Sequence, residues 1–574
     1  MPFVLAGLLL FSWVLWDIAR KFITFTSPLP LVSGPARDSW LTGNLINLFH
    51  DGLAYNFGLV EKYGGVFKVF GLLGEEQLYV SDPRALHHIV VKEQDVFEET
   101  DMFIEANRLI FGPGLMSTLG SQHAKQRKLL NPVFSLSNMR DLKPIVQPIA
   151  DKLLATLVSQ LDDHESKEID MLLWMSRGSL ESVCQATMGY SFNGLDPDTP
   201  NEYADAVRRL TPAILKLVML RPLIPFVIRN FSLFWRNKLV DWLPMKHLRE
   251  MRSITDIMYK TSKRIFEDKK AQMDPSLEHE TSPGRTTKDI MTIMLQANAL
   301  SSKTERLTDS EVIAQVSTII FAGFDTTTTA LSRILHVLAS DSGMQARLRT
   351  EIRQAQRDHA SSHLTYDVLM SLPYLDAILR ETLRMHPPTL MISRIARKST
   401  TLPLAHPVET PAGEMVSSVF VPKNTNIIIS ILAANQNKEI WGPDASVYKP
   451  ERWLAESRGS NRNSGDSTRD DNPQRDTDTL RYPGVYGSMM TFLGGGRACI
   501  AFKFAEMEIK QIIVTLLTQI HFSLPSSVDE AGHKKEIRWK MNGVDVPVIR
   551  RPAEDDQTGQ LPLDLRLVRE EDYM

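Results

Sequence analysis

The segment Thr491-Phe492-Leu493-Gly494-Gly495-Gly496-Arg497-Ala498-Cys499-Ile500-Ala501-Phe502 constrains this chain more than any other. Its run of glycines lets the backbone bend sharply and approach a flat partner closely. Cys499 stands at the head of an apolar pattern of helical period that runs to about Leu517. A helix start lowers a thiol pKa through its dipole and free N–H groups, a setting that suits a metal-bound thiolate. A buried thiol beside a glycine-rich turn is the ordinary alternative, and from the cysteine alone that reading would win.

The rest of the chain narrows the choice. Cys184 is the only other cysteine among 574 residues, and neither belongs to a CxxC pair. A disulfide scaffold and a structural zinc site are therefore implausible. The formal net charge of −3 gives no field that calls for nucleic acid. Apolar residues recur at helical spacing over Asp151 to Ser159, Tyr203 to Met219 and Ser310 to Ser340, whereas strand-like pieces are short: Val66 to Phe70, Gln77 to Val80 and Thr425 to Ile431. The chain is expected to be mainly α with a small β region.

The ends and insertions read differently. Pro2 to Trp16 is uncharged and rich in Val, Leu, Phe and Trp, then Asp17, Arg20 and Lys21 follow. The run falls short of the roughly 20 residues of a comfortable span, but tilt and snorkelling of Arg20 and Lys21 close the gap. Residues 1–26 are expected to be a retained anchor, with the bulk of the chain on the cytosolic side. A cleaved signal would carry a charged start and a small-residue cleavage site, which this sequence lacks. The prolines of residues 27–43 predict a stiff hinge. Met273 to Thr287 reads as a connector, residues 456–479 as a polar disordered insertion and residues 551–574 as a charged tail.

Further groups of residues suggest chemistry. Glu381 and Arg384 lie three apart on a helix that ends at Pro387-Pro388, and Tyr448-Lys449-Pro450-Glu451-Arg452-Trp453 follows downstream. Ala322-Gly323-Phe324-Asp325-Thr326-Thr327 lies inside a long helix opened by the capping box Thr308-x-x-Glu311. Gly and Thr are poor choices there. A local widening over a ligand would explain them, and so would threonines bonding back to carbonyls. His123-x-x-x-Arg127 is followed by Lys128 and Pro132.

Phe492-x-x-Gly495-x-Arg497-x-Cys499 resembles the heme-binding loop of the cytochrome P450 family, and the other groups resemble that family's motifs in its order, from about Leu31 to Ile549. The family usually has Gly where this chain has Ala501, a departure that removes no ligand. The resemblance implies a P450 fold over residues 44–550 and heme b with Cys499 as the iron's axial thiolate. Phe492 and Gly495 would shape the heme loop. His123, Arg127, Arg394 and Arg497 would face the heme carboxylates, and three or more cations around two carboxylates make electrostatic sense in a dry pocket. Glu381, Arg384 and Arg452 would form a buried structural triad. Asp325 and Thr326 would be the acid and alcohol that deliver protons to dioxygen.

The activity so implied is monooxygenation of a small lipophilic substrate, of the fungal type. Terpenoid or polyketide tailoring in secondary metabolism is the expected setting. Electrons would come from NADPH through NADPH–cytochrome P450 reductase, with cytochrome b5 as a second candidate donor. Lys125, Lys128 and Lys503 are candidates for the docking face, or are ordinary solvated lysines. The expected location is the endoplasmic reticulum membrane, single-pass, with a cytosolic catalytic domain. By analogy Phe103 to Met116, Ser317 to Phe324, Thr389 to Ile392 and Met541 to Val544 would line an apolar pocket. Phe226, Ile228, Phe231, Phe234 and Trp235 would dip into lipid or lie in the core. A heme-thiolate isomerase or dehydratase needing no reductase, and a non-catalytic heme-binding protein, are the alternatives.

Overall fold

A computed structural model describes residues 29–49, 52–161, 166–196, 201–272, 289–454, 480–528, 532–550 and 559–573. The expected anchor (1–26), connector (273–287) and insertion (456–479) lie outside the described residues. Among the described residues no single helix is long and apolar enough to cross a membrane. Within the single family domain expected from the sequence, contacts cluster into two compact units. The first is Met1–Thr100 with Leu390–Ser446 and Asp471–Ala498, and the second is Asp101–Thr389 with Val447–Asp470 and Cys499–Met574.

The first unit is built on a five-stranded sheet. Its strands are β1 (Val66–Phe70), β2 (Glu76–Val80), β3 (Phe97–Glu98), β4 (Met391–Ala396) and β5 (Asn426–Ser430), in the spatial order β1-β2-β5-β4-β3. β2 and β5 run parallel with Gln77 opposite Asn426, while the other pairs are antiparallel. Side chains alternate across a strand, so Leu78 and Val80 enter the core with Ile427 and Ile429. Tyr79 takes the other face and stacks on Phe67, its cross-strand partner, with ring centroids 4.4 Å apart. A hairpin of Thr400–Glu409 and Met415–Val421 adds Leu402, Leu404, Val419 and Val421 to the same core.

The expected hinge is not free from residue 29 onward. Leu29 and Val32 are each 1% exposed and belong to this core, and Ser33 accepts the Lys68 N–H through its carbonyl at 2.8 Å. The apolar residues of this stretch anchor it to the sheet.

The second unit is helical. The helices that place functional residues are α1 (Asp101–Phe111), α2 (Gly120–Leu130), α3 (Leu136–Val158), α4 (Met171–Met188), α5 (Glu202–Lys216), α6 (Asp309–Ser340), α7 (Pro373–Met385) and α8 (Phe502–Leu517). α3, α4, α5, α6 and α8 share one core, in which Met139, Cys184, Val207, Ile320 and Met507 are each 0% exposed. The Thr308 cap forms as a reciprocal box with Glu311. A hairpin of β6 (Ile537–Asn542) and β7 (Val544–Ile549) follows α8.

The stretch expected as a charged tail is corrected at its far end. Pro562–Leu567 is the middle strand of a three-stranded sheet, between Lys167–Asp170 and Ile520–Ser523. Leu561, Leu563 and Leu565 are each 0% exposed. Alternation of Leu with Asp564 and Arg566 is the period of a strand, which a count of charge over the window conceals.

Residues 226–235 do not take the core reading. None of Phe226, Ile228, Phe231, Phe234 and Trp235 is buried, and Phe234 is 61% exposed. They form an apolar surface with Leu233 and Trp242, not core.

Candidate active site

In the first unit the glycine loop is held on several sides. The Met490 N–H donates to Asn435 Oδ1 at 2.8 Å, and Asn435 Nδ2 donates to Thr491 Oγ1 at 2.8 Å. Phe492 sets its ring edge-to-face with Tyr486, 5.5 Å between centroids. Gly495 has φ +66°, and a Cβ there would lie 1.8 Å from the Val90 carbonyl oxygen. Only glycine fits that position. The Gly496 N–H donates to Gln94 Oε1 at 2.8 Å. Arg497 and Arg394 converge on Glu99, at 3.2 Å and 3.4 Å. Burial pulls the Arg394 pKa down, and Glu99 pulls it up. The two guanidiniums thus share one carboxylate.

In the second unit Cys499 precedes α8, and Ala501 is the residue that caps it. Ala501 has φ −101°, a region open to any residue, so the place where the family usually has Gly is held here without strain. Burial pushes the Cys499 thiol up, while the Ala501 N–H and the Arg127 charge pull it down. The net shift is upward. The expected lowering by the helix start is therefore outweighed by burial. Metal binding displaces a thiol proton by its own free energy and does not need a lowered starting point. α2 carries His123 and Arg127 four residues apart on one face, with His123 8% exposed.

α6 brings Asp325 and Thr326 to neighbouring positions. The Thr326 hydroxyl donates to the Ala322 carbonyl at 2.8 Å. The Asp325 carboxylate accepts from the Thr211 hydroxyl of α5. Burial pushes the Asp325 carboxyl up to about 6, against the Thr211 hydrogen bond. No widening interrupts α6, which is α-helical throughout. Gly323 has another cause: a Cβ there would lie 3.2 Å from Val183, so glycine permits α4 and α6 to cross closely. Phe111 of α1 meets Phe321 of α6 at 4.9 Å between ring centroids, which makes one apolar wall beside these residues.

Glu381, Arg384 and Arg452 also meet. Arg384 donates to Glu381 from Nε at 2.9 Å and from a terminal nitrogen at 2.7 Å, and both side chains are 0% exposed. Arg452 stands off at 3.6 Å. The Trp453 indole N–H and the Lys449 backbone N–H complete the shell of Glu381, each at 2.9 Å. Those two donors, like Thr211 and Glu99, were missed from the sequence. Removing the Glu381 charge leaves a buried guanidinium without its partner, a change that typically costs about 3–5 kcal/mol. Glu381→Gln is expected to lower the denaturation midpoint and the yield of heme-loaded protein, both read from one absorbance-monitored unfolding series. An unchanged midpoint would show that the cluster does not hold the fold.

Of the candidate docking lysines only Lys128 is exposed, and it pairs with Glu305 at 2.5 Å; Lys125, half-buried, donates to the Arg306 carbonyl at 2.9 Å, and Lys503 is also half-buried.

The sequence matches the family described as cytochrome P450 over residues 33–540. The chain belongs to the cytochrome P450 family. Relatives include cytochrome P450 monooxygenase 91 of Postia placenta, 41% identical over 93% of this chain and 94% of the relative. Cytochrome P450 monooxygenase 219 of the same fungus is 38% identical over 99% of both chains. Ganoderic acid synthetase of Ganoderma lucidum is 34% identical over 94% of this chain and 95% of its own.

The P450 is thus a heme-thiolate monooxygenase by family, mostly helical with small sheets. Its own residues fit the heme on two observations. Two guanidiniums, of Arg394 and Arg497, come together at Glu99 in the first unit, and the buried Cys499 thiol feels the Arg127 charge in the second. With Cys499 as a sulfur donor, the set has the chemistry that a heme with an axial thiolate needs.

Proposed function

We propose that this P450 is a membrane-anchored, reductase-dependent monooxygenase acting on a small lipophilic substrate in fungal secondary metabolism, with terpenoid or polyketide tailoring as its setting. When bound, a heme with a thiolate ligand supplies the oxidant that inserts one oxygen atom of O2 into a C–H or C=C bond. The other atom leaves as water, with two electrons from NADPH and two protons. Cys499 is the residue that would ligate iron. Arg394, Arg497, His123 and Arg127 are those that would pair with the heme carboxylates.

The observation that carries the reading is the acid and alcohol on α6. A heme carrier has no use for an acid beside a hydroxyl, and heme-thiolate isomerases or dehydratases often lack that pair. Asp325 is buried enough to be half-protonated near pH 6, which lets it give and regain a proton under cellular conditions. Thr326 is the adjacent hydroxyl that can pass the proton on. The apolar wall of Phe111 and Phe321 would bind substrate by burial and exclude stray water. The name of the Ganoderma relative supports a biosynthetic setting. Oxygen uptake with NADPH and reductase, across sesquiterpenes, fatty acids and aromatics, tests the proposal. Product formed without NADPH and reductase would overturn it.

The anchor yields a separate expectation. Deletion of residues 1–25 stops short of Leu29 and Val32, which pack in the first unit's core. The truncated protein should leave membranes in large part on fractionation and keep its heme. Loss of heme would show that the deleted segment contributes to folding. Any membrane-bound remainder should fall when Phe234 and Trp235, both exposed, are changed to Ser.

A further inference from the structure

α5 reaches the acid of α6 through a side-chain hydrogen bond. Among the described residues, the side-chain hydrogen bond to Asp325 comes from Thr211. Pro212 follows directly inside α5. Proline has no N–H, so the helix loses a backbone bond at this point and depends more on what its side chains hold. Tyr203, Val207 and Leu210 pack the first turns of α5 into the core, whereas beyond Lys216 the chain turns through Val218–Leu223 into helices with no buried residue. Thr211 therefore stands near the end of α5, with Ala213 and Leu217 still buried beyond it and the segment without buried residues following.

On its other side Thr211 meets a fixed hairpin. The turn between β6 and β7 brings Gly543 so close that a Cβ there would lie 3.7 Å from Thr211 Cγ2 and 3.9 Å from Leu215 Cδ2. The hairpin is pinned to α6. Asp545 pairs with the buried Arg333, whose guanidinium lies 3.4 Å from the centre of the Trp539 ring. The Trp539 indole N–H donates to His336 Nδ1 at 2.8 Å, and the Asp545 N–H donates to the Pro388 carbonyl at 3.1 Å. α6 thus fixes both the acid and the turn, and Thr211 is lodged against the two.

We propose that Thr211 is a positioning residue, whose hydroxyl ties the Asp325 carboxyl to α5 so that the seating of α5 on the hairpin turn sets the direction of the acid. Lifting of α5 frees the carboxyl. Proton delivery is thereby coupled to the seating of α5. The inference rests on Asp325 as the proton source.

The test compares heme-loaded wild type with Thr211→Val, Thr211→Ser, Asp325→Ala and the Thr211→Val/Asp325→Ala double variant. Each must retain the thiolate carbon monoxide band. Valine keeps the size and branching of threonine and removes the donor. Loss of one hydrogen bond to an ionisable group changes a local opening equilibrium by about tenfold. Amide hydrogen exchange in the peptide covering residues 202–216 should be about tenfold faster in Thr211→Val, near wild type in Thr211→Ser, and no faster in the double variant than in Asp325→Ala. With reductase and a panel compound that the wild type oxidises, peroxide formed per NADPH should rise in Thr211→Val and return in Thr211→Ser. Wild-type exchange in Thr211→Val would overturn the tether. Faster exchange with unchanged peroxide would overturn the positioning role. Full coupling in Asp325→Ala would instead sink Asp325 as proton source, and the exchange data would still report the tether.

Discussion

Cys499→Ser is expected to abolish the red-shifted carbon monoxide band of the reduced protein, while Cys184→Ser keeps it. A serine hydroxyl is a much poorer donor to iron than a thiolate, so the electron push that defines this class of heme is lost outright. Cys184 differs in every relevant respect. It is 0% exposed on α4, and burial first, then the nearby Glu181 and Glu508, push its thiol well above the ordinary range. Such a thiol is an inert core residue. A hydroxyl put there without a partner costs about 1–3 kcal/mol, so Cys184→Ser should lower stability and leave the spectrum intact. A red-shifted band surviving in Cys499→Ser would mean that the sulfur ligand lies elsewhere. Cys184 would then be the only remaining source.

Local signals were readable before any coordinates. β1 spans the residues expected, Val66–Phe70, because a five-residue apolar run between turn residues has few other uses. The start of α6 follows from the Thr308–Glu311 box, which is complete within four residues. The glycine at 495 could be read as a turn, since its cause is its own φ and one nearby carbonyl. What stayed hidden depends on distant partners. Thr211 is one of many threonines until α5 lies against Asp325, 114 residues away. Trp453 and Glu381 are 72 residues apart, and nothing in either segment announces the indole bond. Gly323 invited a widened helix, when the reason lay across the packing in Val183 of α4. The strand at Pro562–Leu567 was hidden by its charges, because Asp564 and Arg566 find partners only in the folded chain: the Ser526 N–H at 2.9 Å and the Asp572 carboxylate at 2.5 Å.

Thr326→Ala is expected to bind heme, accept electrons and consume NADPH, yet to yield far less product and more hydrogen peroxide. A well-placed proton donor contributes about a hundredfold or more in rate, and α6 holds the two groups that would act here. In the resting chain the Thr326 hydroxyl donates to Ala322, so its oxygen lone pairs remain open to a water or another donor. The alanine variant keeps the helix and deletes that oxygen. Thr327→Ala is the control, because Thr327 is 2% exposed and its side chain points about 100° away on the helix. Asp325→Asn should uncouple in the same direction and also raise stability. A carboxyl held near 6 in the fold and near 3.8 unfolded is penalised once it ionises, so it costs stability as pH rises from about 4 to 6 and above. At pH 7 that penalty is up to about 3 kcal/mol, and an asparagine escapes it. Asp325→Asn should therefore unfold at a higher denaturant concentration than wild type at pH 7, and the gain should vanish below about pH 4. A gain in stability together with lost coupling marks a residue kept for chemistry against the interest of the fold. Equal coupling in wild type and Thr326→Ala would move proton delivery to another group, with a substrate hydroxyl as the first candidate. Peroxide release from Thr327→Ala alone would show that the acid–alcohol pair has been placed one residue out of register.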